Sequence, residues 1–150
     1  MSKLKMTKLA IIAEDNLDIR ELVSEALTAA EYLVFSAATG IEVLRFSEEL
    51  TNGECADPPM ILITDFNLPD MNGFELCEKM AGRHPSLRTI CISGLILDDD
   101  HANRIGCTIL PKPFTVTALL EVVTSRTSSL SYRNRIGSCE QRDLPDFSST

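Results

Sequence analysis

The chain has 150 residues, 44% of them apolar, and a formal net charge of −8. That length suits one domain with a short extension, and the acidic balance disfavours a general nucleic-acid surface while suiting a site that gathers acids around a divalent cation. No apolar run reaches membrane-spanning length, and the basic start at Met1–Lys5 leads into no secretory core because Glu14 and Asp15 break the apolar segment after it, so a cytoplasmic protein is expected.

Lys8 to Ala13 (KLAIIA) reads as a buried strand. Leu17, Ile19, Leu22, Val23, Ala26 and Leu27 then recur near helical spacing, with Asn16 as N-cap. Tyr32 to Ala37 is a second strand. Gly40 to Leu50 is a helix with Ile41, Leu44 and Phe46 turned inward, ended by Asn52-Gly53. After a loop at Asp57-Pro58-Pro59, Met60 to Thr64 (MILIT) is a near-continuous apolar strand, as in the middle of a parallel sheet. Gly73 to Met80 is a short helix, stopped near Gly82 and Pro85. Arg88 to Ser93 is a fourth strand, Asp98 to Ile105 a short helix, Cys107 to Leu110 a fifth strand, and Thr115 to Ser125 a last amphipathic helix. From Arg126 onward the chain is rich in Ser and Thr without a periodic apolar face. Residues 126–150 are expected to be a flexible or loosely docked tail, with at most a short helix around Tyr132 to Ile136.

Five strands alternating with five helices predict an α/β fold, a doubly wound parallel sheet with right-handed crossovers. Five cysteines without a CxxC pair argue against a disulfide framework and against zinc; Cys91 and Cys107, in strand-like runs, are expected to act as small hydrophobes. His84 and His101 lie in polar stretches and are expected at the surface.

In doubly wound sheets ligands bind outside the carboxyl ends of the strands. Here strand one ends in Glu14-Asp15, strand three in Thr64-Asp65, strand four in Ser93-Gly94 and strand five in Pro111-Lys112-Pro113. Three clustered carboxylates repel one another, and a divalent cation relieves the repulsion. Such oxygen ligands suit Mg²⁺. A carboxylate beside the ion can attack phosphorus and form an acyl phosphate. A lysine can neutralise the transferring group, and a hydroxyl can donate to it once attached.

The run from Asp65 to Gly73 (DFNLPDMNG), with Lys112-Pro113-Phe114, resembles the response-regulator receiver domain of two-component signalling. The resemblance covers roughly Lys8 to Ser125, within a receiver domain spanning residues 1–125. It implies a flavodoxin-like (βα)5 fold of strand order 2-1-3-4-5 with helices on both faces. It also implies Asp65 as phosphoacceptor, Ser93 as the hydroxyl switch and Lys112 as the phosphate-binding lysine, with a characteristically cis Lys112-Pro113 bond. Mg²⁺ or Mn²⁺ would be held by Asp15, Asp65 and the Asn67 backbone carbonyl, with Glu14 acting through a water. The phosphoryl group would come from a histidine kinase or a histidine phosphotransfer protein. Output would pass to a downstream protein partner, from a monomer or weak dimer, with no nucleic-acid or membrane binding of its own and no enzymatic role beyond its own phosphorylation and dephosphorylation.

Three features depart from the family pattern. Glu14 stands where Asp is commoner. Ile109 stands three residues before Lys112, where the family often has Tyr or Phe, so the usual aromatic readout is in doubt. The Ser93–Lys112 spacing is short, and Leu95-Ile96-Leu97 followed by Asp98-Asp99-Asp100 predicts a shortened or mobile fourth helix beside a small apolar patch.

Other functions stay open. A phosphatase with an aspartyl-phosphate intermediate would want an acid at position 67, where Asn67 cannot titrate. A flavodoxin-like cofactor binder would want a glycine- and hydroxyl-rich phosphate loop after strand one, where Glu14 and Asp15 stand instead. A degenerate receiver, a phosphate sink or shuttle, and a receiver fragment of a hybrid kinase also remain, although the start at Met1 points to a free-standing chain.

Overall fold

The computed structural model describes residues 8–51 and 60–125. The expected tail, the Asn52-Gly53 helix stop and the Asp57-Pro58-Pro59 loop lie outside them. Five strands form one parallel sheet in the order β2-β1-β3-β4-β5. They are β1 (Leu9–Ala13), β2 (Leu33–Ala37), β3 (Met60–Asp65), β4 (Arg88–Ser93) and β5 (Cys107–Pro111), alternating with α1 (Leu17–Ala29), α2 (Gly40–Thr51), α3 (Gly73–Arg83), α4 (Asp99–Ile105) and α5 (Val116–Thr124).

Every residue of the interior strands β1 and β3 is buried, whereas the edge strand β2 exposes Leu33. This is why the interior strands are apolar without alternation: helices cover both of their faces. On one face Ile12, Ile63 and Ile92 pack with Val23 and Leu27 of α1 and Leu119 and Val123 of α5. On the other, Ile11, Leu62 and Ile109 pack with Val43 of α2, Leu76 and Met80 of α3 and Ala102 of α4. Cys77, Cys91 and Cys107 are free thiols inside this second layer, consistent with their reading as small apolar groups.

Local chemistry sets the helix starts. Asn16 Oδ1 accepts from Ile19 N–H at 3.0 Å and caps α1. Asp98 Oδ1 accepts from the N–H groups of Asp100 at 3.0 Å and His101 at 3.3 Å, so the acidic run begins a helix whose dipole favours it. That helix is seven residues long and ends at Gly106 with φ +72°, where glycine is free of the strain a side chain would bring. The shortened fourth helix is thus observed. Of the apolar patch before it, Leu95 and Ile96 are exposed while Leu97 packs against the core.

Two side-chain expectations are corrected. In α2, which starts at Gly40 as expected, Leu44 and Phe46 pack against the core, but Ile41 is exposed and the fully buried positions are Val43 and Ser47. His84 is not at the surface. It caps the C-terminus of α3, is 2% exposed, and its Nε2 lies 2.8 Å from Ser47 Oγ, while Nδ1 is buried without a partner among the described residues. His101 is half-buried on α4, with its ring centroid 4.8 Å from that of Phe74.

The Ser47–His84 bond ties α2 to α3 inside the protein. Ser47→Ala would leave His84 Nε2 unpaired there. The expected cost is about 1–3 kcal/mol, measured as a lower urea midpoint at unchanged m-value.

Candidate functional site

The register of the sheet brings the strand ends together. Ala13 pairs with Thr64, so Glu14 and Asp65 follow on adjacent strands at the same level. Asp65 pairs with Ile92, and Ser93 pairs with Pro111, which puts Lys112 just beyond. Backbone bonds hold the exits: Glu14 N–H to Ala37 O at 3.0 Å, Phe66 N–H to Ile92 O at 2.9 Å and Lys112 N–H to Ser93 O at 2.8 Å.

Glu14, Asp15 and Asp65 each offer a carboxylate oxygen, and these oxygens lie within 4.8 Å of one another. Glu14 and Asp65 are buried and Asp15 is exposed. Lys112 Nζ is 3.0 Å from Asp65 Oδ1. The Lys112-Pro113 peptide is cis. Asn67 sits two residues past Asp65 in an exposed turn that forms an isolated antiparallel bridge with Asn72. Ser93 is buried, and its Oγ accepts from Leu95 N–H at 2.9 Å, a bond within its own turn. The structure therefore gathers Glu14, Asp15, Asp65 and Lys112 directly, while Ser93 adjoins them with its hydroxyl occupied locally.

The site has a cation-shaped electrostatic problem. One ammonium group faces three carboxylates. Glu14 Oε2 accepts from Asn16 N–H at 3.1 Å, but Oε1 is buried with no partner among the described residues. Burial pushes the Glu14 carboxyl above its ordinary value, against the Asn16 bond that lowers it, and the nearby Asp65 charge adds to the rise. A buried carboxylate oxygen without a donor, beside two further carboxylates, fits a hard divalent cation with oxygen ligands. The cluster could therefore hold a metal.

Two further residues shape the site in ways no sequence pattern signals. Arg20 Nη1 donates to the Glu14 carbonyl at 2.8 Å and steadies the backbone of the acidic pair from one turn into α1. Gly73 is visible as part of a motif, but its reason is spatial. A Cβ there would stand 2.8 Å from the Asp65 carbonyl oxygen and 3.0 Å from Cys91 Sγ. Only glycine lets α3 start this close to the end of β3, where Gly73 N–H donates to Phe66 O at 2.7 Å.

Because the Glu14 carboxyl is raised in the folded chain, folding takes up protons there. Metal-free stability should fall as pH rises from the ordinary value of 4.5 through the raised folded value. Glu14→Gln should accordingly be more stable than wild type at neutral pH in chelator. The two should converge well below pH 4.5, as read by urea denaturation.

Comparison with known proteins agrees with this arrangement. Residues 10–124 match the family model of the response regulator receiver domain. The chain is 32% identical over 118 residues to the sensor kinase CckA of Brucella abortus, covering 75% of this chain but only 12% of the kinase. It is 28% identical over 119 residues to the response regulator receiver protein CpdR of the same organism, covering 77% of this chain and 93% of that protein. Among solved structures, chemotaxis protein CheY4 of Vibrio cholerae superposes with a TM-score of 0.65 at 27% identity, over 79% of this chain and 97% of that one. With the 2-1-3-4-5 parallel sheet and the acidic cluster at its carboxyl edge, these matches place the chain in the response regulator receiver domain family of two-component signalling.

Proposed function

We propose that the chain is a phosphoacceptor that relays a signal by carrying a phosphoryl group on Asp65. The observation that carries this reading is Asp65 itself, a buried carboxylate held 3.0 Å from Lys112 Nζ and within 4.8 Å of the carboxylates of Glu14 and Asp15. In the transfer, an Asp65 carboxylate oxygen attacks phosphorus. The P–N bond of a phosphohistidine breaks, the imidazole leaves with its electron pair and takes up a proton, and an acyl phosphate forms on Asp65.

Mg²⁺ (or Mn²⁺), when bound, would screen the carboxylates and bind phosphoryl oxygens. Asp15, Asp65 and the Asn67 backbone carbonyl would ligate it, and Glu14 would reach it through a water. Lys112, 3.0 Å from Asp65 Oδ1, would neutralise charge on the transferring group and keep Asp65 aligned before transfer. Ser93 Oγ, which accepts from Leu95 N–H and donates to Leu95 O at 3.5 Å, would turn its O–H to a phosphoryl oxygen instead, which loosens the Leu95–Ile96 turn. With Ile109 buried in the core and no aromatic ring at that position, this turn is the element best placed to report the event.

The donor would be a histidine kinase or a histidine phosphotransfer protein in the cytoplasm, and the recipient of the signal a protein that reads this edge of the sheet. The domain would occupy residues 1–125 and act as a monomer or weak dimer. Asn67 lies in an exposed turn and carries no titratable proton, which favours a long-lived phosphoryl group over phosphatase turnover.

Acetyl phosphate or phosphoramidate with Mg²⁺ should add a single phosphoryl group by intact mass, and Asp65→Asn should abolish it. No adduct on the wild type, with metal shown to be bound, would overturn the mechanism. Lys112→Ala should slow uptake by about 100-fold in the same assay while leaving the fold intact by circular dichroism.

A further inference from the structure

The segment from Asp65 to Gly73 closes on itself. Leu68 N–H donates to Met71 O at 3.2 Å, Asn67 bridges to Asn72, and Gly73 N–H returns to Phe66 O at 2.7 Å. A loop shaped by its own bonds can still move as a body. Its anchor to the neighbouring element is Asp70, which lies between these bonds. Asp70 Oδ1 accepts from Gly40 N–H at 3.0 Å, and Oδ2 accepts from Ile41 N–H at 2.8 Å.

Those amides open α2 and have no partner in their own helix. The rest of that helix start is served locally. Thr39 Oγ1 accepts from Glu42 N–H at 3.2 Å, and Glu42 Oε1 accepts from Ala38 N–H at 3.1 Å, in the manner of a capping box. Gly40 and Ile41 are thus left to a carboxylate about thirty residues away in sequence, one that the helix dipole also favours. An apolar contact seconds the polar one: a Cβ on Gly40 would stand 2.6 Å from Met71 Sδ, so glycine there lets the Met71 thioether lie against the helix start. Desolvation raises the Asp70 carboxyl, but the bonds from the Gly40 and Ile41 amides and from its own backbone together outweigh it and hold the carboxyl below its ordinary value.

We propose that Asp70 is a positioning residue for the phosphoryl-transfer site: its clamp on α2 fixes the Asp65–Gly73 loop, and with it the Asn67 backbone, where a small divalent cation needs its carbonyl ligand. The proposal rests on the metal-site reading given above. The physical reason is that a backbone carbonyl cannot correct its position by changing rotamer. Mg²⁺ demands near-ideal octahedral geometry at about 2.0–2.1 Å, whereas Ca²⁺ accepts longer and more variable distances. Loosening the loop should therefore cost Mg²⁺ more than Ca²⁺.

The test compares the full chain with Asp70→Ala and Asp70→Asn by isothermal titration with Mg²⁺ and with Ca²⁺, and by hydrogen exchange without metal. Asp70→Ala is expected to weaken Mg²⁺ about tenfold and Ca²⁺ less than about threefold, and to speed exchange at Leu68 in the loop. Asp70→Asn keeps one acceptor oxygen and should fall between. Val122→Ala, a core substitution on α5 away from the site, should lower the melting temperature without moving either affinity. Unchanged Mg²⁺ affinity in Asp70→Ala, an equal loss for both cations, or unchanged exchange in the loop would each overturn the clamp. Wild-type chain that binds neither cation would overturn the metal-site reading and the proposal with it, an outcome distinct from a wild type that binds and a variant that does not differ.

Discussion

Like charge crowded at the carboxyl edge of a parallel sheet is the constraint on which the rest of this structure turns. Parallel pairing in register makes adjacent strands β1 and β3 end at the same level, so Glu14 and Asp65 emerge side by side, with Asp15 one residue on. Two unit charges 4 Å apart interact by about 4 kcal/mol at an effective dielectric near a protein surface. One lysine, Lys112, offsets part of that repulsion through its contact with Asp65. Burial, with the Asp65 charge adding to it, raises the Glu14 carboxyl, and its buried Oε1 has no partner among the described residues. The same crowding that makes the bare site unfavourable fits it to a divalent cation that could relieve it.

The scaffold around this edge keeps the charges from relaxing apart. Helices on both faces bury every residue of β1 and β3, so neither strand can slide without exposing isoleucines and leucines of both layers. The loop after β3 is constrained at two points: Gly73 seats α3 against the Asp65 backbone, and Asp70 fastens the loop to the start of α2. By contrast, the turn after β4 is held through a side chain. Ser93 Oγ grips the Leu95 amide, and the next residue, Ile96, is wholly exposed. The loop after β3 is thus held by backbone and carboxylate bonds to two helix starts, whereas the turn after β4 is held by the Ser93 hydroxyl.

Ile109 fits this division. It lies in the core layer beneath α3 and α4, among apolar neighbours that need shape and no polar tip. Its β-branched aliphatic side chain is also stiff at χ1. The short α4, with its Asp98 cap and Gly106 end, is similarly self-contained.

Much of this was legible in the residues. Apolar runs without alternation marked the buried strands, because a sheet covered on both faces has no solvent side to show. Asn16 marked where α1 begins, because the first amides of a helix need local acceptors. The residues Glu14, Asp15, Asp65, Ser93 and Lys112 could be picked out because each follows or ends a strand. The convergence of Glu14, Asp15, Asp65 and Lys112 to within hydrogen-bonding and ligand distances needed the strand order and register. Other features were decided by tertiary structure alone. His84 reads as polar in a polar stretch, yet it is buried because Ser47 comes to meet it from α2. Asp70 reads as a loop acid, and its partners lie about thirty residues earlier. Periodicity and capping are local consequences of backbone geometry, so they are written along the chain. A long-range partner is set by which elements pack together, and no spacing in the chain encodes it.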